Sequence, residues 1–429
     1  MVWDGQRWCP DPKGKTMLWL TEEIVPRIHG EWMLADNKDD KDRLWAWWHQ
    51  SQSAPRKRAM VELVAGYPAA EARPEEFDAD QMLFNTADGT LDLTTGTLRP
   101  YNPADFLTHT SAVHFVTNAK APQWETFLAQ VLPDPDVRQW LQTFIGYCLT
   151  GSVKERRIVV FFGTGRNGKS VLLRVLYELL GPYAGTIRPD MLLAKGHETH
   201  PTEEAALFGK RLVVTSEVQK GRRFDEEKVK GLTGGDVRAA RRMHEDFWDL
   251  KPSAKIVVAV NHKPGVADAS NSFWDRMVLV PFKVRIADEE VDKDLLKKLT
   301  AELPGILNWA LEGCLRWQKE GMPIPETLQV ASAAYRASED RLADFFAECV
   351  EFHPLGQVKH SELMELAKEW CERNGVYKPS DKAIGERLIE SGAERYRSNG
   401  VRYWRGAMLR KVRKPNGNVA KSADGSGGE

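Results

Sequence analysis

One segment limits the fold more than any other: "IVVFFGTGRNGKSVLLRVL", Ile158 to Leu176. A β-branched and aromatic run enters a glycine-rich turn and leaves as an amphipathic helix, so a buried strand, a loop and a helix must follow one another directly. Gly163, Gly168, Lys169 and Ser170 satisfy G-x-x-x-x-G-K-[ST]. In that context the pattern predicts a phosphate-binding loop made of Gly163, Thr164, Gly165, Arg166, Asn167, Gly168, Lys169 and Ser170. Its glycines let the backbone curl with N–H groups inward, and the N-terminus of the following helix adds a favourable dipole for anions. Lys169 is expected to reach the β/γ-phosphates of ATP, and the Ser170 hydroxyl to bind Mg2+. An ordinary glycine turn is the competing reading, and the flanking strand and helix weigh against it.

The 429 residues leave room for two to four domains. With 60 Lys and Arg against 61 Asp and Glu, any affinity for nucleic acid must come from a local patch. Cys9, Cys148, Cys314, Cys349 and Cys371 lie far apart, with no C-x-x-C and no His at ligand spacing, which argues against zinc and against a disulfide scaffold. No leader is read at the N-terminus, and no apolar run approaches the roughly 18 residues of a membrane span. A cytoplasmic protein without a membrane partner is expected.

Further apolar pulses at 212–215, 256–260 and 277–282, with 158–162, carry the rhythm of an α/β layered sheet over 155–285. Residues 1–115 read as a tryptophan-rich accessory α/β domain in which "DGTLDLTTGTLRP" forms short hairpin strands. Trp45, Trp47 and Trp48 beside "RKR" suit either base stacking or core packing. Over 116–154, Val137, Trp140, Leu141, Phe144, Ile145, Cys148 and Leu149 predict one apolar helix face, a helical collar. Residues 286–340 read as a helical lid. Over 341–415, short helices precede a hairpin turning at Asn399-Gly400, which suggests a winged helix. Its Arg395, Arg397, Arg402 and Arg405, interleaved with Tyr396, Tyr403 and Trp404, read as nucleic-acid contacts, against the plainer reading of a solvated basic face. The tail 416–429 is low-complexity and expected to be disordered.

Hydrolysis needs an acid at a strand end beside the loop to position water and help hold the metal. "KRLVVTSEV" offers Glu217, with Ser216 where many such ATPases carry Asp. Asn261 ends "KIVVAV", where an amide suits orienting water or sensing a γ-phosphate as well as capping a turn. Arg276 precedes "MVLVPF" and is either a surface charge or a cation offered to a neighbouring subunit's nucleotide.

Loop, strand-end Glu, strand-end Asn and pre-strand Arg occur in that order, and with "PTEEAALFGKRLVVTSE", "VKGLTGGD", "ARRMHEDF" and "FIGYCLTG" they resemble the superfamily 3 helicases, most closely the phage and plasmid primase-helicase branch that includes the poxvirus primase-helicase. The resemblance implies an AAA+-like P-loop ATPase between an N-terminal accessory domain with helical collar and a C-terminal winged helix. It implies a ring, commonly a hexamer, moving 3′ to 5′ on single-stranded DNA at forks in a bacterial host cytoplasm. It makes Lys169, Glu217, Asn261 and Arg276 the catalytic set, with Ser170 and Glu217 toward the metal. "TGGDVRAARRMHEDF" falls where the family has its DNA-contacting channel loop, pointing to Arg241, Arg242 and His244. Asp275 stands where many relatives carry the first of two arginines, leaving Arg276 alone. With no carboxylate-x-carboxylate polymerase site read in the chain, priming is expected from a separate primase or polymerase chain. A replication-initiation factor that uses ATP only to lock its assembly is the alternative.

Overall fold

The computed structural model describes residues 1–11, 14–65, 67, 72–194, 201–216, 222–241, 247–266, 271–339, 341–374 and 380–410. The chain divides into two compact units, one of residues 1–263 with 276–329 and the other of 264–275 with 330–429.

The first unit is built on strands β1 (Ile158–Phe162), β2 (Ala184–Thr186), β3 (Leu212–Ser216), β4 (Lys255–Val260) and β5 (Met277–Pro281). Among the described residues they form one parallel sheet in the order β5-β1-β4-β3-β2. Near-continuous apolar runs suit strands covered on both faces, and Ile158, Val159, Val160 and Phe161 are fully buried. The chain runs from β1 to the far edge at β2, steps back through β3 and β4, then crosses to β5 on the other side of β1. The order of connection therefore reverses at β1, and ligands of open α/β sheets gather at the carboxyl ends beside such a point. The mixed α/β class and four of the five strands follow the sequence expectation. The short β2 does not announce itself: "AGT" has no apolar pulse, and it is a strand because it pairs with β3.

Helix α1 (Pro135–Leu149) is capped by the Asp134 carboxylate, which accepts from the N–H groups of Asp136 and Val137. It packs against α2 (Leu303–Glu320) at a point where a Cβ on Gly146 would come within 2.1 Å of the Cys314 nitrogen. Only a glycine allows that approach. The segment read as a lid thus includes a helix whose apolar face, Ile306, Leu307, Ala310, Cys314 and Trp317, is buried in the core of this unit.

Near the N-terminus the helices Lys15–Leu34, Lys38–Ser51 and Ala54–Ala65 precede an antiparallel meander of Leu83–Asn85, Thr90–Asp92 and Thr97–Arg99. The meander matches the expected hairpins. Of the tryptophans on the second helix, Trp45 lies 5.2 Å from Trp32 and 5.0 Å from Trp48, yet both Trp45 and Trp47 are exposed.

In the second unit, helices α3 (Arg341–Cys349), α4 (His360–Arg373) and α5 (Asp381–Glu390) surround a sheet of β6 (Val350–Lys359), β7 (Glu394–Ser398) and β8 (Val401–Leu409) in the order β6-β8-β7. Phe345, Leu363, Trp370, Ile384, Leu388 and Trp404 form its core. The expected hairpin is present, with Asn399 and Gly400 both at positive φ in its turn. Strand β6 was not expected; "VEFHPLGQVK" lacks alternation and gains strand form only by pairing with β8 through a bulge. Residues 416–429 lie outside the described residues.

Candidate nucleotide site and nucleic-acid contacts

The loop between β1 and helix α6 (Lys169–Leu180) curls back over the carboxyl end of the sheet. Gly168 takes φ +81°, and a Cβ there would come within 2.5 Å of Val131 Cγ1. Arg166 is also left-handed, at φ 50°, and its guanidinium pairs with Asp288. Asn167, 4% exposed, donates from Nδ2 to the Phe282 carbonyl at 3.3 Å, tying the loop to the end of β5.

Lys169 is 7% exposed and its ammonium donates to three oxygens: the Gly163 carbonyl at 2.6 Å, Asn167 Oδ1 at 3.1 Å and Asn261 Oδ1 at 3.4 Å. All three are neutral. Burial holds the Lys169 ammonium below the ordinary lysine value, and no carboxylate among the described residues offsets its charge. A buried cation at the first turn of a helix, ringed only by neutral acceptors, calls for an anion to balance it. The residues present fit a polyphosphate, with Ser170 exposed beside Lys169 on the same turn.

The sheet register brings the strand ends together. Phe162 pairs with Val260, and Ala259 with Ser216. Asn261 thereby stands next to the loop, and β3 ends one strand further on. Glu217, the residue after β3, lies outside the described residues. Among the described residues no group of three His, Cys, Asp or Glu side chains is placed to hold a metal.

Sequence reasoning missed Lys263, two residues beyond Asn261, whose ammonium lies 5.1 Å from the Phe162 ring centroid and adds a cation at this strand end. A lysine just past a strand-end Asn was the available signal.

Arg276 is elsewhere. It precedes β5, its carbonyl accepts from the Ile158 N–H at the start of β1, and the loop follows the other end of that strand. A strand rises about 3.3 Å per residue, so the sheet's length, roughly 15 Å, separates Arg276 from the loop of its own chain. Its guanidinium donates to Thr233 Oγ1 at 3.0 Å and to the Lys230 carbonyl at 3.5 Å, on the helix α7 (Glu226–Gly234).

Arg241 directly follows the first strand of an antiparallel ribbon formed by Arg238–Ala240 and Trp248–Leu250. Arg242 and His244 lie outside the described residues. On the other unit's hairpin, Arg397 pairs directly across from Arg402. Arg405 belongs to the opposite face of that hairpin, where its guanidinium lies 5.0 Å from the Tyr396 ring. Of the four arginines grouped in the sequence, Arg395, Arg397 and Arg402 therefore share one face and Arg405 takes the other. Lys382, on the first turn of α5, lines a groove with Arg395, Arg397 and Arg402.

No helix among the described residues is long and apolar enough to cross a membrane.

A family model described as "D5 N terminal like" matches residues 1–133, and one described as a family of unknown function (DUF5906) matches residues 161–276. The chain is 24% identical over 323 residues to a "Putative helicase" of Acanthamoeba polyphaga mimivirus, covering 69% of this chain and 34% of that protein. It is 24% identical over 272 residues to a "Putative helicase" of Frog virus 3, covering 58% and 28%. It is 23% identical over 358 residues to a "Putative primase" of African swine fever virus, covering 75% and 36%. The chain thus spans about a third of the length of these curated relatives. The apo structure of the NrS-1 C-terminal region aligns with 69% of this chain and 78% of its own at a TM-score of 0.41 and 13% identity.

Proposed function

We propose that this chain is a member of the D5-like superfamily 3 primase-helicase family and an ATP-driven helicase module that moves along single-stranded DNA as a ring, 3′ to 5′, in the replication of a phage, prophage or plasmid, a reading supported by its N-terminal match and its helicase-named relatives. The observation that carries the reading is the buried Lys169 ammonium, held among neutral oxygens of Gly163, Asn167 and Asn261 at the start of a helix. In this reading Lys169 and the loop N–H groups hold the β- and γ-phosphates of ATP, which brings Mg2+ to the Ser170 hydroxyl. Asn261 senses the γ-phosphate and orients the attacking water, and Glu217 accepts its proton.

Arg276 completes the site of the next subunit. Its place at the edge of the sheet away from its own loop supports a role in trans, and a hexamer supplies the neighbour. Arg241, Arg242 and His244 grip the backbone of the strand in the central channel. The second unit is a winged helix in which Arg397 and Arg402 meet DNA.

One observation favours the second reading, an initiation factor whose ATP only locks the assembly: Arg397 and Arg402 lie across from one another in register, a repulsive pair that duplex phosphates would relieve. Steady-state ATP turnover with and without single-stranded DNA, alongside strand displacement on forks with a 3′ or a 5′ tail, separates the two. The motor predicts DNA-stimulated turnover and displacement from the 3′ tail only. Turnover indifferent to DNA, with no displacement, overturns it in favour of the lock.

A further inference from the structure

The ribbon that carries Arg241 has one feature that packing does not explain. Its register pairs Arg238 with Leu250, Ala239 with Asp249 and Ala240 with Trp248, so Arg241 and Phe247 face each other on the next rung. Side chains alternate along such a ribbon. Ala240 and Leu250 are buried on the inner face, whereas Ala239, Asp249 and the Arg241–Phe247 rung belong to the solvent face. A polar residue is the ordinary occupant there, yet Phe247 is 57% exposed. The Arg241 guanidinium lies 4.9 Å from the centre of its ring.

The rung is held firmly from below. Arg238 makes two bonds to the buried Glu204 carboxylate, at 3.0 Å from Nε and 2.6 Å from Nη2, and Trp248 meets Phe208 edge-on at 6.4 Å. A phenyl ring oriented by a guanidinium on a braced ribbon presents a flat apolar surface at little entropic cost. The Arg241 guanidinium carries a full positive charge beside the ring, the group that an adjoining phosphate would meet.

We propose that Phe247 and Arg241 form a stacking platform on which one base of single-stranded nucleic acid rests against the phenyl ring while the guanidinium meets the adjoining phosphate. Every base has a π-face, so such a platform tolerates any sequence. The proposal rests on the reading of the ribbon as a contact for single strands and names the group that would hold a base rather than the backbone.

The test is fluorescence anisotropy of the full chain, with a non-hydrolysable ATP analogue, on labelled oligothymidylate and on an abasic backbone of equal length. Wild type should prefer the base-bearing strand. Phe247→Ala should weaken that binding about ten-fold and erase the preference, Phe247→Trp should keep it, and Phe247→Leu should behave as the Ala variant. If Leu serves as well as Phe, or if Ala keeps the preference, the platform is wrong while the motor reading stands. If wild type binds neither oligonucleotide, the motor reading falls with it. If Phe247→Ala loses its oligomeric state in native mass spectrometry without DNA, the ring's partner is a second copy of the chain and the proposal is overturned.

Discussion

The Lys169 ammonium donates to the Asn261 side-chain oxygen at 3.4 Å, joining a loop residue to a strand end 92 positions away. Parallel pairing of β1 with β4 makes this possible, because it sets Phe162 beside Val260 and so the loop beside Asn261. Lys169→Ala should abolish ATP turnover. Asn261→Ala should keep nucleotide binding within a few-fold and lower turnover about 100-fold, a split that titration with a fluorescent ATP analogue and single-turnover hydrolysis would measure. Retained turnover in Lys169→Ala would remove the site assignment.

Gly168 combines a left-handed backbone with a Cβ position blocked by Val131 and Phe127. Gly168→Ala should cost about 1–3 kcal/mol of stability, read as a lower chemical-denaturation midpoint, and should weaken nucleotide binding as the loop shifts. Adding Val131→Ala removes the clash but not the φ strain, so the double variant should recover loop geometry only in part. Full recovery of binding would mean that φ carries no cost here.

Arg276 is anchored on α7 through Thr233 and Lys230. Arg276→Ala should bind ATP normally, lose turnover and poison mixed rings more steeply than dilution predicts. Activity falling only in proportion to the mutant fraction would rule out action in trans.

Lys255 begins β4 and is 3% exposed. Its ammonium donates to the carbonyls of Ser253 at 3.1 Å and Ser152 at 3.3 Å and to that of Thr150, which follows α1. Burial pushes it from 10.5 down to about 7. Because the folded value is the lower one, protonation opposes folding: the penalty is full below about 7, shrinks as pH climbs, and vanishes above the unfolded value. Lys255→Met should cost about 1–3 kcal/mol at neutral pH by stripping those carbonyls of their donor. Wild-type melting temperature should rise, relative to Lys255→Met, between about pH 7 and pH 9.5. Parallel curves for the two proteins would sink this reading.

If the ribbon loop couples hydrolysis to movement, Arg242→Ala with His244→Ala should leave ATP turnover largely intact while unwinding per ATP falls. Equal unwinding per ATP in the variant would exclude that loop from the stroke.

The local chemistry of the nucleotide site was legible in the chain itself. The spacing from Gly163 to Ser170, the β-branched run before it and the leucine periodicity after it each reflect interactions within about twenty residues, and such interactions leave a pattern in sequence. The hairpin at Asn399-Gly400 was legible for the same reason. What tertiary structure alone decided depends on partners distant in the chain. "AGT" and "VEFHPLGQVK" are strands only because β3 and β8 offer them edges. A helix read as lid is buried against α1 because Gly146 lets the two backbones approach. Arg405 parts from Arg397 and Arg402 because strand side chains alternate between faces. Arg276 is set apart from Lys169 of its own chain because β5 pairs with β1 in parallel, which puts a residue before one strand and a loop after the other at opposite edges of the sheet.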